Sequence, residues 1–276
     1  MLQYILSLAI LLLLAFFAFL WYMQDLFQLG DLWLNLGTAI LGILLTVIMV
    51  DRVVRHIQEK ERKRVESIAL RHIGVALRRH CTLLFSMLKA ASSSIPKRQE
   101  CSVEKLLTQS LPVVLRHFDF KAEAPVIGDI SWDRYLKKEF SEIREKSADI
   151  LRKYAGFLSS QLTDDLQKLE DSHFISLVIG IPRNEELNRR LGIDRSGDYL
   201  RDETIQSLIH EHVTTFLSIA REHDKILKGS QPRVLELPDL LWRNDISPKL
   251  GNSIVKRSFG TTLTSGHQLP RAPSDS

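Results

Sequence analysis

The sequence has no stretch of sustained alternation between apolar and polar residues, which excludes a fold built on sheets and leaves helices throughout. It also has no glycine-rich phosphate loop and no serine elbow, which removes nucleotide cradling and the hydrolase chemistry that depends on such an elbow. Cysteine is scarce. Cys81 and Cys101 are the only two in 276 residues, and the charge pattern places both on the cytosolic side, where thiols stay reduced. They read as small apolar fillers. The formal net charge of +4 is modest. The densest basic run follows an apolar segment directly and forms no stripe along a folded domain, so lipid is the expected partner and no direct nucleic-acid site is evident.

What the sequence has in abundance is apolar length near its start. Residues 5–23, ILSLAILLLLAFFAFLWYM, are nineteen positions with only Ser7 strongly polar. At 1.5 Å per residue they match a hydrocarbon core of about 30 Å. A cleaved signal peptide wants a basic n-region and a small-x-small cleavage site. Here the start is Met-Leu-Gln-Tyr and the run ends in Leu20, Trp21, Tyr22 and Met23, so a retained spanning helix is expected, with Trp21 and Tyr22 as interfacial anchors. Residues 32–50, LWLNLGTAILGILLTVIMV, form a second expected span, with Trp33 near an interface. Only QDLFQLGD separates the two, which is room for a tight hairpin turn.

Orientation follows from charge asymmetry. The turn carries Asp25 and Asp31 and no cation, whereas DRVVRHIQEKERKR after the second span holds Arg52, Arg55, Lys60, Arg62, Lys63 and Arg64. The positive-inside rule then places both termini and everything from Asp51 onward in the cytoplasm, with those six cations as a lipid-facing collar. Within the second span Thr38, Gly42 and Thr46 recur every four residues, and Asn35 continues the row. Small residues let two helix backbones approach closely, and Asn or Thr bonds across the contact. The row serves either packing within the hairpin or self-association of several hairpins.

The charged stretch from Arg52 to Arg64 has no Pro or Gly, so the second span is expected to continue into the cytosol as one helix. Leu70, Ile73, Leu77, His80, Leu84 and Met87 then alternate spacings of three and four, too briefly for a coiled coil, so bundle packing is expected until Ser92-Ser93-Ser94-Ile95-Pro96 ends the helix. A short helix from Val103 to Leu111 is expected to stop at Pro112. The next begins at an N-cap, Ser131, and keeps Leu136, Phe140, Ile143, Ser147, Ile150, Tyr154 and Phe157 on one face. Thr163 with Asp164 and Asp165 opens another, running through Leu166, Leu169 and Ile175 to Gly180-Ile181-Pro182. Asn184 to Leu191 is a two-turn helix. A last one puts Ile205, Ile209, His212, Phe216, Ile219, His223 and Ile226 on one side and closes at Gly229. The fold class is therefore an all-α membrane protein: a transmembrane hairpin over 1–50, a basic juxtamembrane and continuing helix over 51–94, a cytosolic helical bundle over 101–229, and a mostly disordered tail over 230–276. LPDLLW at 237–242 is an apolar patch able to dock on the bundle or on a partner.

Candidate chemistry is thin. His210-Glu211-His212 with His223 suggests a zinc helix, but position 214 is Thr where His-Glu-x-x-His needs His, and His212 and His223 lie roughly 16 Å apart by helix rise. The loop of Asp194, Ser196, Asp198, Asp202 and Glu203 has Tyr199 where a calcium hand needs Gly and Ile205 where it needs Glu, so a helical cap is expected. No catalytic, metal or cofactor residue is assigned and no cofactor is expected.

Two resemblances bear on function. NLGTAILGILLTVIMVDRVVRHIQEKERKR resembles a pattern of bacterial membrane proteins in which Asn-Leu-Gly-Thr, an apolar run, Asp-Arg and a basic helix follow one another. The plan of two spans and a helical cytosolic domain is similar to the two-transmembrane effectors of retron anti-phage systems. That likeness implies a toxic inner-membrane protein restrained by a protein or ribonucleoprotein inhibitor. The bundle also loosely resembles helical ribonucleases of the higher-eukaryote and prokaryote nucleotide-binding type, whose signature places Arg four to six residues before His. Arg64 with His72 and Arg201 with His210 are spaced wrongly, and Arg183-Asn184 has no His within reach. The expectation is a non-enzymatic membrane effector, with a membrane-anchored scaffold or sensor as the alternative and a tethered ribonuclease as a further one.

Overall fold

The computed structural model describes residues 15, 18, 19, 21, 22, 30–95, 102–126, 129–191, 200–227 and 232–254. It divides into two compact units, Met1–Val65 and Glu66–Ser276. Among the described residues no β-strand is named; two isolated bridges, Phe118 with Ile254 and Glu123 with Ser131, are the extent of strand-like pairing.

Helix α1 spans Gly30–Ala91. Its stretch within the first unit is apolar on every side from Leu36 to Val50, and Ile43, Val47, Met49 and Val50 are all more than half exposed. It is the one described helix long and apolar enough to cross a membrane, and only 6% of its most apolar window is buried. The helix runs on through the charged residues 51–64 without a break, as the absence of Pro and Gly requires. Of the expected first span over 5–23, only Ala15, Ala18, Phe19, Trp21 and Tyr22 are described, all helical, and the rest of that run and most of the turn after it lie outside the described residues.

In the second unit the same helix becomes one-sided. Leu70, Ile73, Leu77, His80, Leu84 and Met87 are all buried, so the three-and-four spacing marks the face against the core. Residues 66–91 of the continuing helix are thus part of the core of the second unit. Cys81 is buried among them; Cys101 lies outside the described residues. Helix α1 ends at Ala91, and the Ser92 hydroxyl turns back to the Leu88 carbonyl at 2.7 Å.

The next segment departs from the sequence expectation at Pro112. Helix α2, Val103–Lys105, is capped by Ser102 and leads through a π-helical turn, Leu106–Ser110, into α3, Leu111–Leu115. Proline normally ends a helix because it lacks an N–H and its ring strikes the carbonyl four residues back. Here the π turn has already moved the Leu111 N–H onto the Leu106 carbonyl, one residue further than usual, and Pro112 falls in the first turn of α3, where no N–H is needed. Helix α4, Trp132–Tyr154, starts after Ser131 as expected, yet Ser131 bonds the Asp133 carboxylate and leaves the helix N–H groups without its side-chain cap. Its face buries Leu136, Phe140, Ile143, Ser147 and Ile150. Phe157 leaves that face, because Ala155–Phe157 tightens into a 3-10 turn.

Two further boundaries are corrected. Helix α5, Ser160–Glu170, begins before Thr163, because Ser159 accepts the Leu162 N–H and supplies the cap. It does not run to Gly180-Ile181-Pro182: Ser172 caps a new helix, α6, His173–Arg190. Pro182 stands inside α6, which absorbs the expected 184–191 helix. An internal proline costs about 3 kcal/mol, and the burial of Phe174, Ile175, Val178 and Ile181 on the core side offsets it. Helix α7, Glu203–Leu227, buries Ile209, His212, Phe216, Ile219 and His223 on the expected face. Helix α4 packs on α5 and α6, and α7 packs on the same two.

The tail is ordered further than its composition suggests. Residues 232–254 return to the core, and α8, Asp239–Trp242, places Trp242 against Phe85 at 4.9 Å. Lys89, 1% exposed, donates from Nζ to the carbonyls of Leu241, Arg243 and Ile246, and Ser253 N–H reaches the Ala90 carbonyl at 2.9 Å. Pro- and Ser-rich composition argues against a self-made core, but this segment borrows one. Residues 255–276 lie outside the described residues.

Gly74 lies at a close approach of α1 and α7. A Cβ there would sit 2.6 Å from His223 Nε2, and that ring is fixed by the Leu70 carbonyl at 3.1 Å and by Asp224 at 3.0 Å. Gly74→Ala should therefore lower unfolding stability by about 1–3 kcal/mol despite its better helix propensity, read as a reduced urea midpoint of the full-length protein in detergent. An unchanged midpoint would show that His223 swings away freely.

Candidate functional site

The structure presents the small-residue row of the first unit openly. Asn35, Thr38, Gly42 and Thr46 are all exposed on α1. The Thr38 hydroxyl donates to the Asn35 carbonyl at 3.0 Å and the Thr46 hydroxyl to the Gly42 carbonyl at 2.8 Å. Both threonine hydroxyls thus have an acceptor within the helix, as hydroxyls in an apolar helix must. A Cβ at Gly42 would meet nothing within 4 Å. The collar residues Arg52, Arg55, Lys60, Arg62, Lys63 and Arg64 are likewise all exposed. Arg55 pairs with Asp51 one turn back at 2.8 Å and Arg64 with Glu61 at 4.0 Å; such exposed pairs contribute little.

The second unit holds a chain of polar side chains inside its core that the sequence alone does not reveal. His80, on α1, and His212, on α7, face each other with Nε2 atoms 3.0 Å apart, and His212 Nδ1 lies 2.8 Å from the Ser172 hydroxyl at the start of α6. Phe140, Phe174 and Phe216 surround the two rings at centroid distances of 4.9 to 6.2 Å. Away from bulk water, the protonated form of either ring is disfavoured: burial pushes His80 down to about 3, and burial together with neighbouring His80 pushes His212 well below its ordinary value. Sequence spacing signals each histidine as a position on an apolar face. It carries no sign that two such faces, 132 residues apart, would meet at those residues.

A cleft of about 410 Å³ opens where Ser172 and His212 meet Phe174, Lys168 and Glu211. A hydroxyl beside an imidazole has the composition of a nucleophile and its base, but a base needs a pKa near the working pH. A histidine held this far below neutrality is a weak acceptor of a serine proton. The arrangement is suited to rigid, neutral hydrogen bonding. A second cleft, about 610 Å³, lies beside the Glu104–Arg221 ion pair and Trp242 and carries charges of both signs on its wall.

The other residues weighed from sequence are scattered. His210 and Glu211 are exposed while His212 and His223 are buried with different partners, and no group of three potential metal ligands occurs among the described residues. Asp202 caps α7 by accepting the Thr204 N–H at 2.7 Å, whereas Asp194, Ser196 and Asp198 lie outside the described residues. More prominent is a triad at the α1–α4 contact: Arg79 reaches Glu139 through two bonds of 2.8 and 2.7 Å and Glu142 at 2.6 Å, a bidentate clamp between the two helices.

The histidine pair makes stability depend on pH. Both rings have folded-state pKa values below the unfolded value near 6.5, so the unfolded chain takes up protons first as the pH falls. The contribution is complete above about pH 6.5 and is lost progressively as the pH falls below it, toward about 3 for His80 and in the same direction for His212. Urea midpoints of the full-length protein at pH 7.5, 6.0 and 5.0 should fall in that order. A flat profile over this range would show that bulk water reaches the rings in the native state.

A comparison of the chain with models of protein families, with curated proteins and with solved structures finds no match.

Proposed function

We propose that this chain is a multi-pass inner-membrane protein that anchors a non-enzymatic helical domain at the cytoplasmic leaflet and presents that domain to a partner. One observation carries the reading: from Leu36 to Val50, α1 exposes leucine, isoleucine and valine on all sides. Apolar surface costs roughly 25 cal/mol per Å² in water, and a helix that is apolar all round belongs in lipid. The run over 5–23 supplies the second helix of a hairpin, and the basic exit after Val50 sets the second unit in the cytosol.

The collar narrows in this reading. For a helix along the membrane normal, Arg52 and Arg55 lie within about 8 Å beyond Val50, at headgroup depth. Lys60, Arg62, Lys63 and Arg64 lie about 15–21 Å beyond it, farther than the Debye length of about 8 Å. Arg52 and Arg55 set orientation, and the outer four cations contact lipid only where the helix tilts.

A second reading, that the membrane part is itself a toxic effector of the anti-phage kind, is favoured by the open surface at Gly42. Hairpins clustered through Asn35, Thr38, Gly42 and Thr46 would perturb the bilayer once an inhibitor releases the cytosolic domain.

Two measurements test these readings. Expressed at full length, the protein should stay with membranes through an alkaline carbonate wash, and a reporter fused behind Ser276 should be active only in the cytosol. Extraction by carbonate, or a reporter active only outside, would sink the anchor. For the effector, Gly42→Leu puts a branched side chain where two hairpin backbones would have to approach, while hydrophobicity rises and insertion is kept. Depolarisation by the parent protein that vanishes in Gly42→Leu at equal membrane abundance is the expected result. A parent protein that is harmless at high expression leaves the anchored scaffold alone.

A further inference from the structure

Between α1, α4 and α5 the second unit leaves a cavity of about 10 Å³, lined by Ile73, Leu77, Ile143 and Leu166 and by two polar residues, His80 and Ser147. A volume of this size is about one water probe. His80 is fully buried, and its Nδ1 has no hydrogen-bond partner in the protein. Ser147 is 2% exposed, in the interior of α4, on the face that carries Ile143 and Ile150. Apolar cavities of this kind stay dry, but buried water recurs where an unsatisfied polar atom and a second polar group border a space that fits it.

We propose that this cavity is a site for one water molecule, held between His80 Nδ1 and the Ser147 hydroxyl. The water extends the polar chain of the core to five members: Ser147, water, His80, His212 and Ser172. It also settles a problem that the histidine pair poses. Of the two facing Nε2 atoms, one donates and the other accepts. If His80 accepts, its proton sits on Nδ1, where a donor without a partner would be buried in hydrocarbon. If His80 donates, Nδ1 is a buried lone pair. A water that both donates and accepts satisfies either arrangement, so the pair keeps its bond whichever way the protons are ordered. Ser147 gives the water a second anchor from a different helix, which is why a hydroxyl is useful at a position where the heptad face would otherwise take alanine or leucine.

The test uses the full-length protein in detergent with selectively labelled histidine. An exchange-independent cross-peak between water and the His80 ring, and electron density within hydrogen-bond reach of both His80 Nδ1 and Ser147 Oγ in a crystal structure, are expected. Ser147→Val, which replaces the hydroxyl by methyl groups and fills the space, should abolish the cross-peak and lower the thermal midpoint. Absence of both cross-peak and density in the parent protein overturns the proposal, and so does a Ser147→Val protein as stable as the parent, since a dry cavity gains from being filled. If Ser147→Val does not fold, the cross-peak of the parent protein decides alone.

Discussion

His80 stands in the middle of an apolar seam, away from bulk water, and the second unit is arranged so that its Nε2 has a partner. Only a second side chain with matching height on a facing helix can supply it, and His212 does so at 3.0 Å. The bond fixes the register of α7 against α1, and the Ser172 hydroxyl on His212 Nδ1 fixes the start of α6 in the same stroke. Hydrocarbon packing tolerates sliding by a residue's width; a buried hydrogen bond does not, because a slip leaves two orphaned polar groups. Phe140, Phe174 and Phe216 close around the rings and keep bulk water out, and the same burial disfavours the protonated form of both histidines.

Around this centre further polar contacts tie outer elements to α1. Arg79 clamps α4 through Glu139 and Glu142, and His223 bonds the Leu70 carbonyl next to the close approach at Gly74. At the far end Lys89 gathers three carbonyls of the C-terminal segment. Its burial lowers its pKa, and a cation in that position is tolerated because the carbonyl oxygens replace water around the ammonium group. Helix α1 is thus the element on which these long-range polar contacts converge, while its stretch in the first unit exposes apolar side chains on all sides.

Much of this is legible from residue order. Apolar runs, the missing alternation, the unbroken charged stretch after Val50 and the three-and-four spacing from Leu70 to Met87 are local patterns, and local patterns determine where helices form and which side they bury. The departures have local causes as well. Proline usually stops a helix, yet at Pro112 a π turn and at Pro182 a buried helix face override it. Ser159 and Ser172 supply the caps that the acidic run after Thr163 imitates.

By itself the sequence determined an all-helical chain, the helix long and apolar enough to cross a membrane, and the faces that α1, α4 and α7 turn inward, since each depends on residues within a few turns of one another. Only the tertiary structure decided which faces meet. The pairing of His80 with His212, the clamp of Arg79 on two glutamates, and the return of residues 232–254 to the end of α1 join positions 60 to 163 residues apart. A side chain's own neighbours in sequence carry no record of such distant partners, because what selects them is the closing of one dry core.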